Sequence, residues 1–189
     1  MPRPLRTILP GVATHLTQRG NNRAACFRRD SDYLLCLLHL RELCARHGCA
    51  VHAYCLMTNH VHLLVTPPSA EACMALMKQL GQRYAQYFNR AYGRTGSVWD
   101  GRYHSSVAHS ARYVLGTYRY IELNPVDAGM VNHPGLYTWS SYRANALGRD
   151  DRIVSPHPEY LALGLDTIAQ RNAYAALFEE ALDPMGSDP

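Results

Sequence analysis

Residues 59–65 read Asn59-His60-Val61-His62-Leu63-Leu64-Val65. Side chains alternate between the two faces of an extended strand, so His60 and His62 share one face while Val61, Leu63 and Val65 point to the other. Two imidazoles about 7 Å apart along a strand can converge on one divalent ion; two outward-facing polar histidines give the same pattern. A second segment, Tyr118-Arg119-Tyr120-Ile121-Glu122-Leu123-Asn124-Pro125, has helical character. Tyr120 and Asn124 are one turn apart on one face of that helix. The Asn124 amide oxygen can then act as a third metal ligand beside His60 and His62, with the Tyr120 hydroxyl one turn away. A divalent ion, a tyrosine and a basic surface together point to phosphodiester chemistry, in which the metal polarises a phosphoryl oxygen and the phenolate attacks to leave a phosphotyrosine. The chain has 13 tyrosines. Tyr113, two turns before Tyr120, is the main rival nucleophile. Tyr118 is turned about 200° away and is discounted. No dedicated base is evident, although His15 on the first strand is a candidate neighbour of the site.

These residues need elements to position them. Residues 11–19 alternate as a strand, with His15, Thr17 and Arg19 on one face. Gly20–Arg23 are turn chemistry. Residues 31–47 carry leucine and cysteine at helical spacing, with Asp30 or Ser31 as N-cap and Gly48 as the stop. Residues 50–56 and 60–66 read as a hairpin closed by Met57, Thr58 and Asn59. Residues 69–92 form an amphipathic helix opened by Ser69, with Glu71 in its first turn. Residues 102–108 suit a strand. Residues 110–123 suit a third helix, capped by Ser110 and stopped by Pro125. The order β-α-β-β-α-β-α predicts an α+β fold: a ferredoxin-like βαββαβ core with an antiparallel sheet and helices on one face. An irregular arm over 126–149 and a helical tail around 167–182 follow. The chain divides into a body over 8–145 and an acidic, partly helical C-terminal extension over 146–189.

The formal net charge is +4, from 19 basic and 15 acidic residues. Residues 1–150 hold 17 Lys/Arg against 8 Asp/Glu, whereas residues 151–189 hold 2 against 7. Every basic residue except Lys78 is arginine, the side chain best shaped for bidentate phosphate contact. A basic body rich in arginine is the footprint of a polyanion binder, and Arg19, Arg23, Arg28, Arg94 and Arg102 are the candidate DNA contacts. The six cysteines lack C-x-x-C spacing and read as buried hydrophobes. Cys44, His47 and Cys49 lack a fourth ligand at zinc-site spacing. No apolar run reaches the roughly 18–20 residues of a membrane span, and the N-terminus lacks a secretory pattern, so an intracellular soluble protein is expected.

The histidine strand, Trp99-x-Gly-Arg-Tyr103, the run from Tyr120-Ile-x-Leu-Asn-Pro to Val131, the opening His15–Arg23 and Trp139-Ser-Ser-Tyr142 together resemble the single-tyrosine HUH transposases, within the IS200-like group, most closely the REP-associated tyrosine transposases. The resemblance covers about residues 8–145. It implies His60 and His62 as metal ligands, Tyr120 as nucleophile and Asn124 as the helix-borne metal ligand. It further implies Mg²⁺ or Mn²⁺, a single-stranded DNA substrate with hairpins such as REP-type palindromes, and cleavage to a 5′-phosphotyrosine and a free 3′-OH that can reverse the reaction for strand transfer. A bacterial, cytoplasmic, nucleoid-associated protein, monomeric or homodimeric, follows from the same likeness. Two other readings stand beside it: a non-catalytic nucleic-acid-binding module on the same scaffold, and a hydrolase working through metal-activated water.

Overall fold

The computed structural model describes residues 7–179. Four strands, β1 (Thr14–Arg19), β2 (Ala50–Met57), β3 (His60–Thr66) and β4 (His104–Val107), form one sheet in the order β2-β3-β1-β4 with every pair antiparallel. With α1 (Asp30–His47) between β1 and β2, and α2 (Ala70–Tyr92) between β3 and β4, this is the expected ferredoxin-like core. The first and last strands in sequence are shorter than their patterns: β1 starts at Thr14, after Gly11 turns the chain at φ 72°, and β4 spans only His104–Val107.

The two core helices lie on one face. Leu16, Tyr54, Leu56, Val61, Leu63 and Val65 project from the sheet against Leu40 and Leu43 of α1 and Leu76, Leu80, Tyr84 and Phe88 of α2, all buried. Burying each large apolar side chain of this kind is worth about 1.5–3 kcal/mol. Ser69 caps α2 by accepting the Ala72 N–H, and Gly48 ends α1 in the left-handed region at φ 66°, where glycine alone incurs no steric penalty. The N-terminus of α1 differs from the expectation. Arg29 is the N-cap, and the Asp32 carboxylate accepts the Arg28 and Arg29 amides at 2.8 and 3.1 Å. A carboxylate in the first turn does what a capping side chain at 30 or 31 was expected to do.

The third helix, α3 (Ala111–Asp127), lies on the opposite face, over β2 and β3. Val114, Tyr118 and Ile121 pack on Ala53, Cys55, Met57 and Leu64. Pro125 does not stop it: the helix runs through to Asp127 with Pro125 buried inside. Proline there forfeits the bond to the Ile121 carbonyl, and the next turn is closed by Ala128 N–H donating to the Asn124 carbonyl at 3.0 Å.

The arm after α3 is less irregular than its sequence suggests. It contains a short helix, α4 (Tyr142–Asn145), and is followed by α5 (Pro158–Leu161) and α6 (Thr167–Ala176). Tyr142, Tyr160 and Tyr174 are buried in the same core as α3. Val154 makes a parallel bridge to Val51 on β2. The tail helix ends at Ala176, earlier than its pattern; residues 180–182 of the expected span lie outside the described residues.

Candidate active site

Strand parity places the site. In register, His62 stands opposite Thr17 on β1 and Cys55 on β2, and His60 stands opposite Arg19 and Met57. These side chains share the face that α3 covers. The His60 and His62 rings lie 4.8 Å apart, edge to face. The Tyr120 ring meets His62 at 5.6 Å and His15 at 5.7 Å, both edge to face. Asn124 donates from Nδ2 to the Tyr120 carbonyl at 2.8 Å, and its side chain also hydrogen-bonds His60. One chain therefore gathers His60, His62, Tyr120 and Asn124 into a single pocket. Tyr120 is 50% exposed and so reachable.

The two rival tyrosines sit elsewhere. Tyr118 is fully buried, and its hydroxyl accepts the His157 N–H. Tyr113 is exposed on the right face of α3, but its hydroxyl lies 3.5 Å from Ser106 on edge strand β4 and its ring stacks on His109.

His60 and His62 each have Nδ1 engaged by the protein. His60 Nδ1 lies 2.6 Å from Asn59 Oδ1, and His62 Nδ1 lies 2.9 Å from His15 Nε2. This leaves Nε2 of His62 for the pocket, while His60 also bonds the Asn124 side chain. Burial holds the His62 imidazole neutral, down to about 2, helped by His15, His60 and the Arg19 cation. Burial and then Arg19 lower His60 as well, and burial lowers His15 to about 4. Neutral imidazoles keep the lone pair that a metal ligand needs.

The donor set fits a divalent ion. Two neutral imidazoles on one strand face an amide side chain on α3. Among the described residues no group of three or more His, Cys, Asp or Glu side chains is arranged to hold a metal; an ion held by the two imidazoles would need a further donor such as the Asn124 amide oxygen. All six cysteines are buried free thiols.

The turn beside His60 is built tightly. Gly20 donates to the Asn59 carbonyl at 2.7 Å, and a Cβ on Gly20 would collide with the Ala24 carbonyl. Asn59 Nδ2 donates to the Arg23 carbonyl at 3.1 Å, and Cys26 and Phe27 both donate to Thr58. The loop carrying Arg23 and Arg28 is thereby fastened to the hairpin that starts β3. Arg28 and Arg94 converge on Phe88, with guanidinium carbons 5.3 and 5.5 Å from its centroid, and Arg28 and Arg29 both lie over Tyr92. Arg19 is exposed directly beside His60, and Arg102 is exposed just before β4. Beneath the cluster Asp32 is buried. Burial raises its carboxyl, but bonds from Tyr92, Arg28, Tyr87 and Arg29 prevail and hold it below the usual range.

A profile of IS200-like transposases matches residues 9–124. The chain belongs to the IS200-like transposase family. The chain is also similar to a solved REP-associated tyrosine transposase bound to a REP hairpin, with a TM-score of 0.62 and 17% identity over 83% of this chain and 93% of that one. A transposase-like protein from Deinococcus radiodurans R1 aligns with a TM-score of 0.43 and 21% identity over 64% of this chain and 95% of that one. No match is found among proteins of curated function. The family profile spans β1 to Asn124 and so includes all four pocket residues. No helix among the described residues is long and apolar enough to cross a membrane.

Three contributors to the site were not evident from sequence. Thr17 lies 3.3 Å from both His15 Nε2 and His62 Nδ1, and Asn59 fixes His60. Strand register and the hairpin turn carried those signals. Glu122, which anchors α3, gave none, because its partners come from residues 141–174.

Proposed function

We propose that this protein nicks and rejoins single-stranded DNA beside hairpins of the REP-palindrome type, through a covalent bond to Tyr120. The observation that carries this reading is the convergence of His60, His62, Asn124 and Tyr120 in one pocket of one chain. The resemblance to a transposase solved with a REP hairpin supports the choice of substrate.

His60, His62 and Asn124 would hold Mg²⁺ or Mn²⁺, which supplies charge stabilisation at a non-bridging phosphoryl oxygen when bound. Imidazole donors suit Mn²⁺ better than the harder Mg²⁺. The Tyr120 oxygen attacks phosphorus. As that O–P bond forms, the bond from phosphorus to the 3′ oxygen breaks. The phenolic proton leaves to solvent, to which half of Tyr120 is open, and the departing 3′ oxygen takes up a proton. The DNA then carries a 5′-phosphotyrosine and a free 3′-OH. The reverse step, with a 3′-OH from another end, rejoins the strand without ATP, because the phosphodiester energy is kept in the tyrosine ester.

Arg19, beside His60, would meet the phosphates flanking the scissile one. Arg23, Arg28, Arg94 and Arg102 would bind the DNA backbone farther out. A monomer contains every pocket residue. Residues 8–145 form the catalytic unit, residues 146–189 extend it, and the protein works on the chromosome in the bacterial cytoplasm.

The test is incubation with hairpin-tailed single strands from the flanks of the protein's own gene, with Mn²⁺, followed by denaturing electrophoresis. A band of protein joined to DNA is expected. Strands that bind without being cut would make the protein a non-catalytic module, and cut strands without an adduct would make it a hydrolase.

A further inference from the structure

The geometry points to His15 as a positioning residue: it accepts a hydrogen bond from His62 Nδ1 and so presents His62 Nε2 to the pocket. This inference rests on the proposed metal role of His60 and His62.

The two rings come from neighbouring strands and are offset along them. His62 stands opposite Thr17, and His15 stands opposite Leu64. The rings lie nearly parallel, 20° apart with centroids 5.1 Å apart, and His15 Nε2 is 2.9 Å from His62 Nδ1. Only one of these nitrogens can carry the shared proton. If His62 Nε2 keeps its lone pair for a cation, its proton resides on Nδ1 and His62 is the donor. His15 is then the acceptor and carries its own proton on Nδ1. The Thr17 hydroxyl, 3.3 Å from both nitrogens, closes the triangle and restricts rotation of both rings. His60 is oriented in the same sense by the Asn59 amide oxygen. Both strand histidines thus have a dedicated acceptor at Nδ1.

The choice of acceptor has a consequence. Metal-bound histidines commonly donate to a carboxylate or carbonyl. A carboxylate at position 15 would place a negative charge within one imidazole width of the spot where a phosphate must bind. A neutral ring gives the same orientation without repelling the substrate. The His15 ring also borders Tyr120, with centroids 5.7 Å apart, so it supports the face against which the nucleophile rests.

Two measurements on the whole protein test this. Long-range ¹H–¹⁵N NMR of the metal-free protein reads the tautomer of His62. Nδ1–H is expected in the wild type, with a shift toward Nε2–H in His15→Ala and retention in His15→Gln, whose amide oxygen can accept the same bond. Titration with Mn²⁺ followed by electron paramagnetic resonance reads affinity. His15→Ala should weaken it about 10–100-fold, and His15→Gln should recover much of that. Nε2–H in wild-type His62 overturns the inference. So does an unchanged tautomer and Mn²⁺ affinity in His15→Ala while His62→Ala abolishes binding. If the wild type binds no Mn²⁺, the metal reading fails, and the NMR result still decides what His15 does.

Discussion

The rings of His62 and Tyr120 meet edge to face, 5.6 Å apart, across the seam between β3 and α3. That contact requires α3 to cross the histidine face of the sheet at a fixed height. Two sets of interactions hold it there. Val114, Tyr118 and Ile121 pack on β2 and β3. Glu122, two residues beyond the tyrosine and fully buried, accepts hydrogen bonds from Ser141 at 2.5 Å, Asn145 at 2.8 Å and Tyr174 at 2.6 Å. Ser141 in turn accepts the Tyr54 amide of β2 at 2.8 Å. The tyrosine helix is tied to the sheet through the segments that follow it.

The first prediction separates the two exposed tyrosines of α3. Tyr120→Phe should abolish the covalent DNA adduct and leave hairpin binding within about twofold, since the ring contacts to His15 and His62 need no hydroxyl. Tyr113→Phe should form adduct at a rate within a few-fold of wild type. Denaturing gels and fluorescence anisotropy read both. Adduct formation by Tyr120→Phe would remove the nucleophile from this position.

Much of this arrangement is written locally. Alternation puts His60 and His62 on one face, helical spacing puts Tyr120 above Asn124, and Ser69 and Gly48 mark helix ends by their own chemistry. The side of the sheet that α3 takes is not local. Its trace lies in β2, where Ala53, Cys55 and Met57 are as buried as Tyr54 and Leu56, as expected of a strand covered on both faces. Pro125 misleads because it sits in the last turn of α3, where the helix continues to Asp127 and Ala128 still donates to the Asn124 carbonyl. Glu122 is invisible for a different reason: a glutamate in a helix reads as solvated until distant residues surround it.

The second prediction concerns the arginine cluster. Arg28 and Arg94 share the Phe88 ring, and Asp32 beneath them is already bonded to Tyr87 and Tyr92. Their charges are therefore available to phosphates. Arg28→Ala and Arg94→Ala should each weaken hairpin binding. Each should also reduce the slope of log K against log salt by about 0.7–0.9 for every phosphate the arginine neutralises. Equal slopes in variant and wild type would take these arginines off the DNA.

The third prediction concerns the thiols. Burial raises Cys26 and Cys44 to about 12 and Cys49 to about 11, and pushes Cys36 and Cys55 up as well. A thiol reagent at pH 8 should therefore react with the native protein far more slowly than with free cysteine. Six thiols should titrate promptly on unfolding, with or without a chelator. Fewer than six would reveal a disulfide, and a chelator effect would reveal a thiolate-bound metal.

The last prediction follows from the sign of the Glu122 shift. Burial raises its carboxyl from 4.5 to about 7, against the opposing pull of Ser141, Tyr174 and Asn145. Between those values the folded chain holds a proton that the unfolded chain has released, so this group's contribution to stability falls as pH rises from about 4.5 to about 7. The full swing is about 3 kcal/mol. Histidines that desolvation keeps neutral act in the other direction. His52 and His15, both lowered to about 4 by burial, make stability rise from about pH 4 to 6.5, because there the unfolded chain binds the extra protons. The wild-type profile alone therefore mixes opposing slopes, and a comparison with Glu122→Gln isolates one. The glutamine oxygen can accept from Ser141 and Asn145, which both bond the same carboxylate oxygen, while its amide donates to the Tyr174 hydroxyl. Urea unfolding at pH 5 and pH 8 should show the variant gaining on the wild type by about 2–3 kcal/mol between the two, whereas a constant difference would mean that the three donors keep Glu122 ionised throughout.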